Sequence, residues 1–403
     1  MGDGRQISRE KESVSVCVGY DRGMFMTRRR ALGLVFASAV LAAAAGAAFA
    51  QSVSLVVPPA GPAREAFQAL EEGRYKDADA AFTRALALAP DDAAVLLGAG
   101  IAARRLSDTA RARQLLTRAL QIDPALTPAS QLLGTMLHEA GDLEGAIRVY
   151  EAALVRAPDQ DRMQAKVEEW RQEAALHGGF RRALGGHFTV LFEGPAEEAA
   201  AAAAVEILES AYDRVGDLLQ AFPSESVTVV LYTQQQFRDV TRTPGWSGGL
   251  FDGRIRMPIR GGLADRREFE RVLTHEYVHA LVHSVAAAGV PAWLNEGLAA
   301  ALESEGLERA RRDIARGPVV PLGLLDRSFA SLPAAAVTAA YAGSALAVQG
   351  ILDRAGAPRL MGLLADLGAG ADFDRAFTVW VQVPFADFER EWLETVRDSA
   401  SRR

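Results

Sequence analysis

Residues 269–282 read FERVLTHEYVHALV, an apolar-periodic stretch with neither proline nor glycine. The spacing predicts one α-helix. On that helix His275 and His279 stand one turn apart and project from the same face, so both imidazoles can reach a single metal ion. Glu276 leaves the axis about 100° away from His275. It is suited to hold a water beside the ion and not to bind the ion itself. Only six histidines occur in the 403-residue chain, which makes an accidental pair at this spacing improbable.

A catalytic zinc site takes three protein ligands and keeps a fourth position open. A histidine six residues after His279 would supply the third in one long pattern, but Val285 stands there, and Val282 occupies the glycine position of that pattern. His283 is one further turn along; three ligands on one straight helix diverge, so it suits an exposed place or one behind the ligands better. The stronger candidate is Glu296, in PAWLNEGLA at 291–299, on a second apolar helix that can return antiparallel after the turn near Gly289.

Working upstream, residues 187–192 (HFTVLF) and 226–232 (SVTVVLY) read as strands, with an alanine-rich helix from Ala196 to Gln220 between them. Residues 246–258, WSGGLFDGRIRMP, place an Asp252-Gly253 hairpin turn between two short strand-like runs. Strand, helix, strand and then mostly helix indicates an α+β domain.

His275, Glu276, His279 and the W-L-x-E-G-x-A stretch around Glu296 together resemble the gluzincins, specifically the small secreted families grouped as peptidase MA-like, and more distantly the M1 aminopeptidases. The likeness extends over about residues 186–398. It implies one zinc ion held by His275, His279 and Glu296, with Glu276 as general base. It also implies that the 247–258 segment is an edge strand that holds the substrate backbone. Tyr341, in YAGSAL at the start of an apolar helix expected over Ala339–Leu352, resembles the transition-state tyrosine of the M1 enzymes. The same tyrosine could be a core or helix-end aromatic, and Arg254, Arg256 and Arg327 are competing donors. Two departures matter. The acidic group that grips a free amine in M1 enzymes is missing, which favours an endopeptidase. Ala300 replaces an aspartate that orients a histidine in thermolysin-like enzymes, leaving Glu303 as the acid available for that task, if any is.

The first half of the chain is periodic. Pro90, Pro124 and Pro158 are spaced by 34, as are Ala85, Ala119 and Ala153, and Phe82, Leu116 and Tyr150. Ala78, Ala112 and Ala146 keep the same register, and small residues align at Ala66, Gly100 and Gly134. Paired antiparallel helices explain the pattern: a small residue where helices touch, a large one facing it, a proline ending each unit. These residues resemble tetratricopeptide repeats over about 61–158, with Met163–Leu176 as the capping helix. Turn glycines Gly73 and Gly141 fit, while the middle copy has Ser107. The resemblance implies a groove for a peptide or protein partner; the helices could equally be only a packing scaffold. No candidate catalytic group lies in 61–158, so the repeats are expected to be dispensable for chemistry.

Residues 26–51 have the order of a secretory signal peptide: Arg28, Arg29 and Arg30, an apolar run from Ala31, then Ala48-Phe49-Ala50 before Gln51. Cleavage near Ala50/Gln51 would leave a periplasmic or secreted protein, and translation could begin near Met26. An uncleaved segment would be a membrane anchor. Net charge is −7, and the residues after 50 hold 37 basic against 47 acidic groups, which argues against nucleic-acid binding. The single cysteine, Cys17, precedes the signal-like segment, which excludes a disulfide framework and a cysteine-based zinc site.

The expected architecture is therefore α+β: upstream and signal segment at 1–50, an N-terminal all-α tetratricopeptide solenoid at 61–178, and a gluzincin-like α+β metallopeptidase domain at 180–400. The expected activity is hydrolysis of a peptide or protein substrate. The rivals are an interaction scaffold whose zinc domain is not proteolytic, and a zinc hydrolase of non-peptide esters or amides.

Overall fold

The structure, a computed structural model, describes residues 61–242, 248–259, 265–326, 328–329 and 332–401. The signal-like segment, Cys17, Trp246 and Arg327 lie outside the described residues. Six helices form three antiparallel pairs: α1 (Pro62–Glu71) with α2 (Tyr75–Leu88), α3 (Ala93–Arg105) with α4 (Thr109–Ile122), and α5 (Thr127–Glu139) with α6 (Leu143–Leu154). α7 (Asp161–His177) follows and buries Met163, Val167 and Trp170 against α6. The small residues sit where helices cross. A Cβ on Gly134 would fall 2.3 Å from the Tyr150 ring, and one on Gly100 would fall 3.0 Å from Leu116. Asp92, Asp108 and Asp142 cap the N-termini of α3, α4 and α6 with their carboxylates. Within-pair turns use the left-handed region: Gly73 at φ +74°, Gly141 at +84° and, in the middle copy, Ser107 at +60°. Ser107 thus makes the same turn as its glycine counterparts, at a cost of about 1 kcal/mol for its Cβ.

A five-stranded mixed sheet follows: β1 (Arg181–Leu184), β2 (Phe188–Phe192), β3 (Val227–Tyr232), β4 (Leu250–Phe251) and β5 (Ile255–Pro258), in the order β1-β2-β3-β5-β4. The alanine-rich α8 (Glu198–Leu219) carries the chain between the parallel strands β2 and β3. β3 and β5 are also parallel, Val229 pairing with Ile255, and β4 returns antiparallel as the edge strand. Strand β1, which the sequence pattern does not signal, pairs with β2 while showing no buried face.

Alternation divides the sheet. Phe188, Val190, Val229, Leu231, Ile255 and Met257 join the main core with α8 and the helices beyond. Val230, Tyr232 and Leu250 face the other way, onto Leu176 and Phe180 at the end of the repeats. After α9 (Gln234–Thr241) and the β4–β5 hairpin, the remainder is helical: α10 (Arg266–Val285), α11 (Ala292–Leu302), α12 (Gly306–Asp313), α13 (Ala334–Ala355), α14 (Ala357–Gly368), α15 (Phe373–Val381) and α16 (Phe385–Ser401). α13 begins at Ala334 after Pro333, five residues before the expected start, because the alanines at 334–336 extend it; Tyr341 is therefore two turns inside and not at a helix start.

Candidate metal centre

α10 is buried almost throughout its middle, from Phe269 to Val282, so its histidines are held in the core and not on a surface. α11 packs against it, and Gly297 sets how closely α13 approaches from the far side: a Cβ at 297 would lie 2.6 Å from the Ser344 carbonyl oxygen. Glu296, the neighbour of that glycine, is thereby fixed opposite His275 and His279. One nitrogen of each ring and one oxygen of Glu296 lie within 4.8 Å of one another. Glu296 Oε2 is 3.4 Å from His275 Nε2 and 3.6 Å from His279 Nε2. Ligands bonded to one zinc at ~2.0–2.1 Å in tetrahedral array stand about 3.3 Å apart.

The far nitrogens are occupied. His275 Nδ1 is 2.7 Å from Glu303 Oε1, and His279 Nδ1 is 3.1 Å from Asn295 Oδ1. Glu303, immediately after α11, accepts from Arg271 at 3.0 and 3.1 Å and from Arg309 at 2.8 Å. Each ring is thus set with Nδ1–H donating and Nε2 turned to a common point, the arrangement that fixes tautomer and basicity in metal-ligating imidazoles. His279 Nε2 and Glu296 Oε2 are buried atoms without a hydrogen-bond partner. Such atoms are costly unless something fills the point between them. The donor set, two imidazoles and a carboxylate, suits zinc.

In the absence of an ion, the imidazoles shift the pKa of Glu296, and Glu296 shifts that of His275. Burial raises the Glu296 carboxyl pKa, but His279 and His275 outweigh it and bring it down to about 2. Burial likewise opposes charge on His275, yet Glu296 and Glu303 lift it to about 10, so the metal-free centre holds a proton there. Glu303 is held below the usual carboxylate range, burial being overcome by His275 and Arg271.

Glu276 is buried on α10 beneath the start of the edge strand: a Cβ on Gly249 would lie 2.7 Å from its Oε1. Only glycine lets the strand backbone come this near the carboxylate. Tyr341 is half-buried, its ring centroid 6.3 Å from that of His275 and 4.9 Å from Phe329. His283 stays outside the cluster, edge-on to Phe251, and burial with Arg104 nearby pushes its pKa down to about 3. Arg254 and Arg256, weighed as donors, face the repeats and not the centre. Sequence reasoning missed Asn295 and the arginines holding Glu303. An arginine one turn before His275, inside an apolar helix, was the available signal for Arg271.

A tetratricopeptide-repeat family model matches residues 103–168. Among solved structures, the first TPR of Spaghetti (RPAP3) bound to HSP90 peptide SRMEEVD is similar at 20% identity, covering 28% of this chain and 93% of that chain with a TM-score of 0.27. No curated protein matches the chain. The matched segment runs from the end of α3 to the middle of α7, and the helix pairs and left-handed turns around it repeat the same unit. The first part of the chain carries tetratricopeptide repeats, set before a smaller mixed sheet and a helical remainder.

Proposed function

We propose that the protein is an exported zinc-dependent endopeptidase, of gluzincin type, in which His275, His279 and Glu296 hold one zinc ion. The observation that carries this reading is the convergence of three buried donor atoms, two of them without hydrogen bonds, between rings already oriented by Glu303 and Asn295. Zinc at such a site supplies Lewis acidity and lowers the pKa of a bound water. Glu276 accepts the proton of the attacking water and passes it to the leaving amine. The edge strand β4 offers its free backbone to an extended peptide, aligning it across the helix that carries Glu276. Tyr341 donates to the developing oxyanion. The repeats receive a protein partner or the substrate itself.

The presence of repeats also supports a second reading, an interaction protein whose zinc domain is not proteolytic. One experiment separates the two: zinc analysis of the purified protein with a peptide-library cleavage assay, comparing wild type with Glu276→Gln. Wild type should bind one zinc and cleave, and the variant should keep zinc and lose cleavage. Zinc without cleavage in wild type selects the scaffold, and an active Glu276→Gln variant removes the general-base assignment.

A further inference from the structure

Two within-pair turns of the repeats pack on the rest of the molecule, that of Gly73 against Gly370 and that of Gly141 against Thr228 and Arg254, and the second contact leads toward Glu276. In the segment 254–257, Arg254 and Arg256 alternate with Ile255 and Met257, so the arginines leave the sheet on the face away from the main core. That face is covered by the repeats. Arg254 Nη2 donates to Glu173 Oε1 at 2.9 Å and Arg256 Nη1 donates to the same oxygen at 2.7 Å. Arg256 Nε also donates to Asp252 Oδ2 at 2.8 Å, and Arg256 Nη1 to the Tyr232 hydroxyl at 2.7 Å. Glu173 Oε2 faces His138 Nε2 at 3.0 Å. Arg254, Arg256 and Glu173 are 1%, 2% and 5% exposed. The hairpin tip is pressed on the repeats as well: a Cβ on Gly253 would meet Glu139 Cβ at 2.5 Å and its Cα at 2.8 Å.

The two arginines therefore bind one end of the β4–β5 hairpin to α5 and α7, while Gly249, at the other end of β4, rests on Glu276. We propose that Glu173, on the last helix of the repeat module, is a positioning residue for the metal centre, holding the hairpin so that the edge strand keeps its place on Glu276. This rests on the reading of Glu276 as proton acceptor. It makes the repeats part of the scaffold of the site and not a removable adaptor, because a fragment starting at residue 180 would lose both the Glu173 carboxylate and the helices that cover Arg254, Arg256, Val230 and Tyr232. The packed and ion-paired path for such coupling runs from Glu173 through Arg254 and Arg256 to the hairpin and from Gly249 to Glu276.

The test compares full-length wild type, Glu173→Gln and Glu173→Ala by zinc content, amide hydrogen exchange and peptide cleavage. Expected are unchanged zinc, exchange across residues 250–257 faster by about tenfold in the alanine variant and by less in the glutamine variant, and kcat/KM falling about tenfold in the same order. Glutamine keeps an acceptor in place and leaves Asp252 on Arg256, so it carries the comparison where alanine prevents folding. Hairpin exchange equal to wild type overturns the proposal, as does an acceleration that spreads equally over α10 and α11, the mark of general destabilisation. A wild-type protein that binds zinc and cleaves nothing refutes the peptidase reading instead, and does so independently of the exchange result.

Discussion

Two buried clusters of histidine and carboxylate lie on either side of the β4–β5 hairpin, and they are finished differently. Around Glu173 the charges close on themselves: two arginines face two carboxylates, Glu173 and Asp252, at hydrogen-bond distance. Around Glu296 the basic groups at close range among the described residues are the imidazoles of His275 and His279, at 3.4 and 3.6 Å from Oε2. Glu303 has its own arginines and leaves none for Glu296. A self-compensated network fixes one part of the molecule to another. A set of donors converging on a shared point could hold a metal ion.

Exchanging single residues breaks or sharpens that contrast. His275→Ala, His279→Ala or Glu296→Ala should reduce zinc from about one equivalent to background in elemental analysis, with complete loss of cleavage. Normal zinc in Glu296→Ala would make the two clusters alike and end the contrast. Glu173→Ala should loosen residues 250–257 by about tenfold in amide exchange, more than α10 or α11, with zinc retained, since Asp252 still holds Arg256 and His138 still faces Arg254. Tyr341→Phe should lower kcat by about 10²- to 10³-fold with KM, zinc content and Tm little changed. A wild-type kcat, or a large drop in Tm, returns Tyr341 to the core. Glu303→Gln should weaken zinc affinity by about 10- to 100-fold in competition with a chelator, through the orientation of His275, with some loss of stability because Arg271 and Arg309 lose its charge.

The smallest effect separates the clusters by pH. Burial lowers the pKa of His138, brings His177 to about 4 and His283 to about 3. Below about 6.5 the unfolded chain takes up protons that these folded histidines refuse, so their stabilising effect is present above that pH and lost as pH falls toward 4. Tm of the zinc-free His275→Ala variant should fall by several degrees from pH 7.5 to 5. A flat profile would mean that these rings are protonated in the fold without penalty.

The zinc-ligand candidates were legible because His275, Glu276 and His279 share one helix and Glu296 lies in a compact motif on the next. The repeats were legible through spacing alone. Ser107 looked like a weak copy, since residue type reports the ease of a left-handed turn and not whether the turn is made. Strand β1 has no apolar alternation to read, its residues being exposed or nearly so. The packing of the repeats on the hairpin was the least legible feature. Arg254 and Arg256 alternate with apolar residues as solvent-facing arginines do, and nothing local announces that Glu173, some eighty residues earlier, covers them.

The repeat stack is also held at its opposite end. Lys76 pairs with Asp366 at 3.2 Å, and the turn at Gly73 packs so closely on Gly370 that a Cβ there would fall 1.9 Å from the Gly73 carbonyl oxygen. A free solenoid is springlike, each unit leaning on its neighbours alone, and it can flex to grip what it binds. Anchored through its first pair at Gly370 and its last at the hairpin, this one is an arch with both feet fixed. A guest that fits the existing curvature would bind without loosening either foot. One that demands a different curvature would have to prise one of them away, and its affinity would carry that penalty.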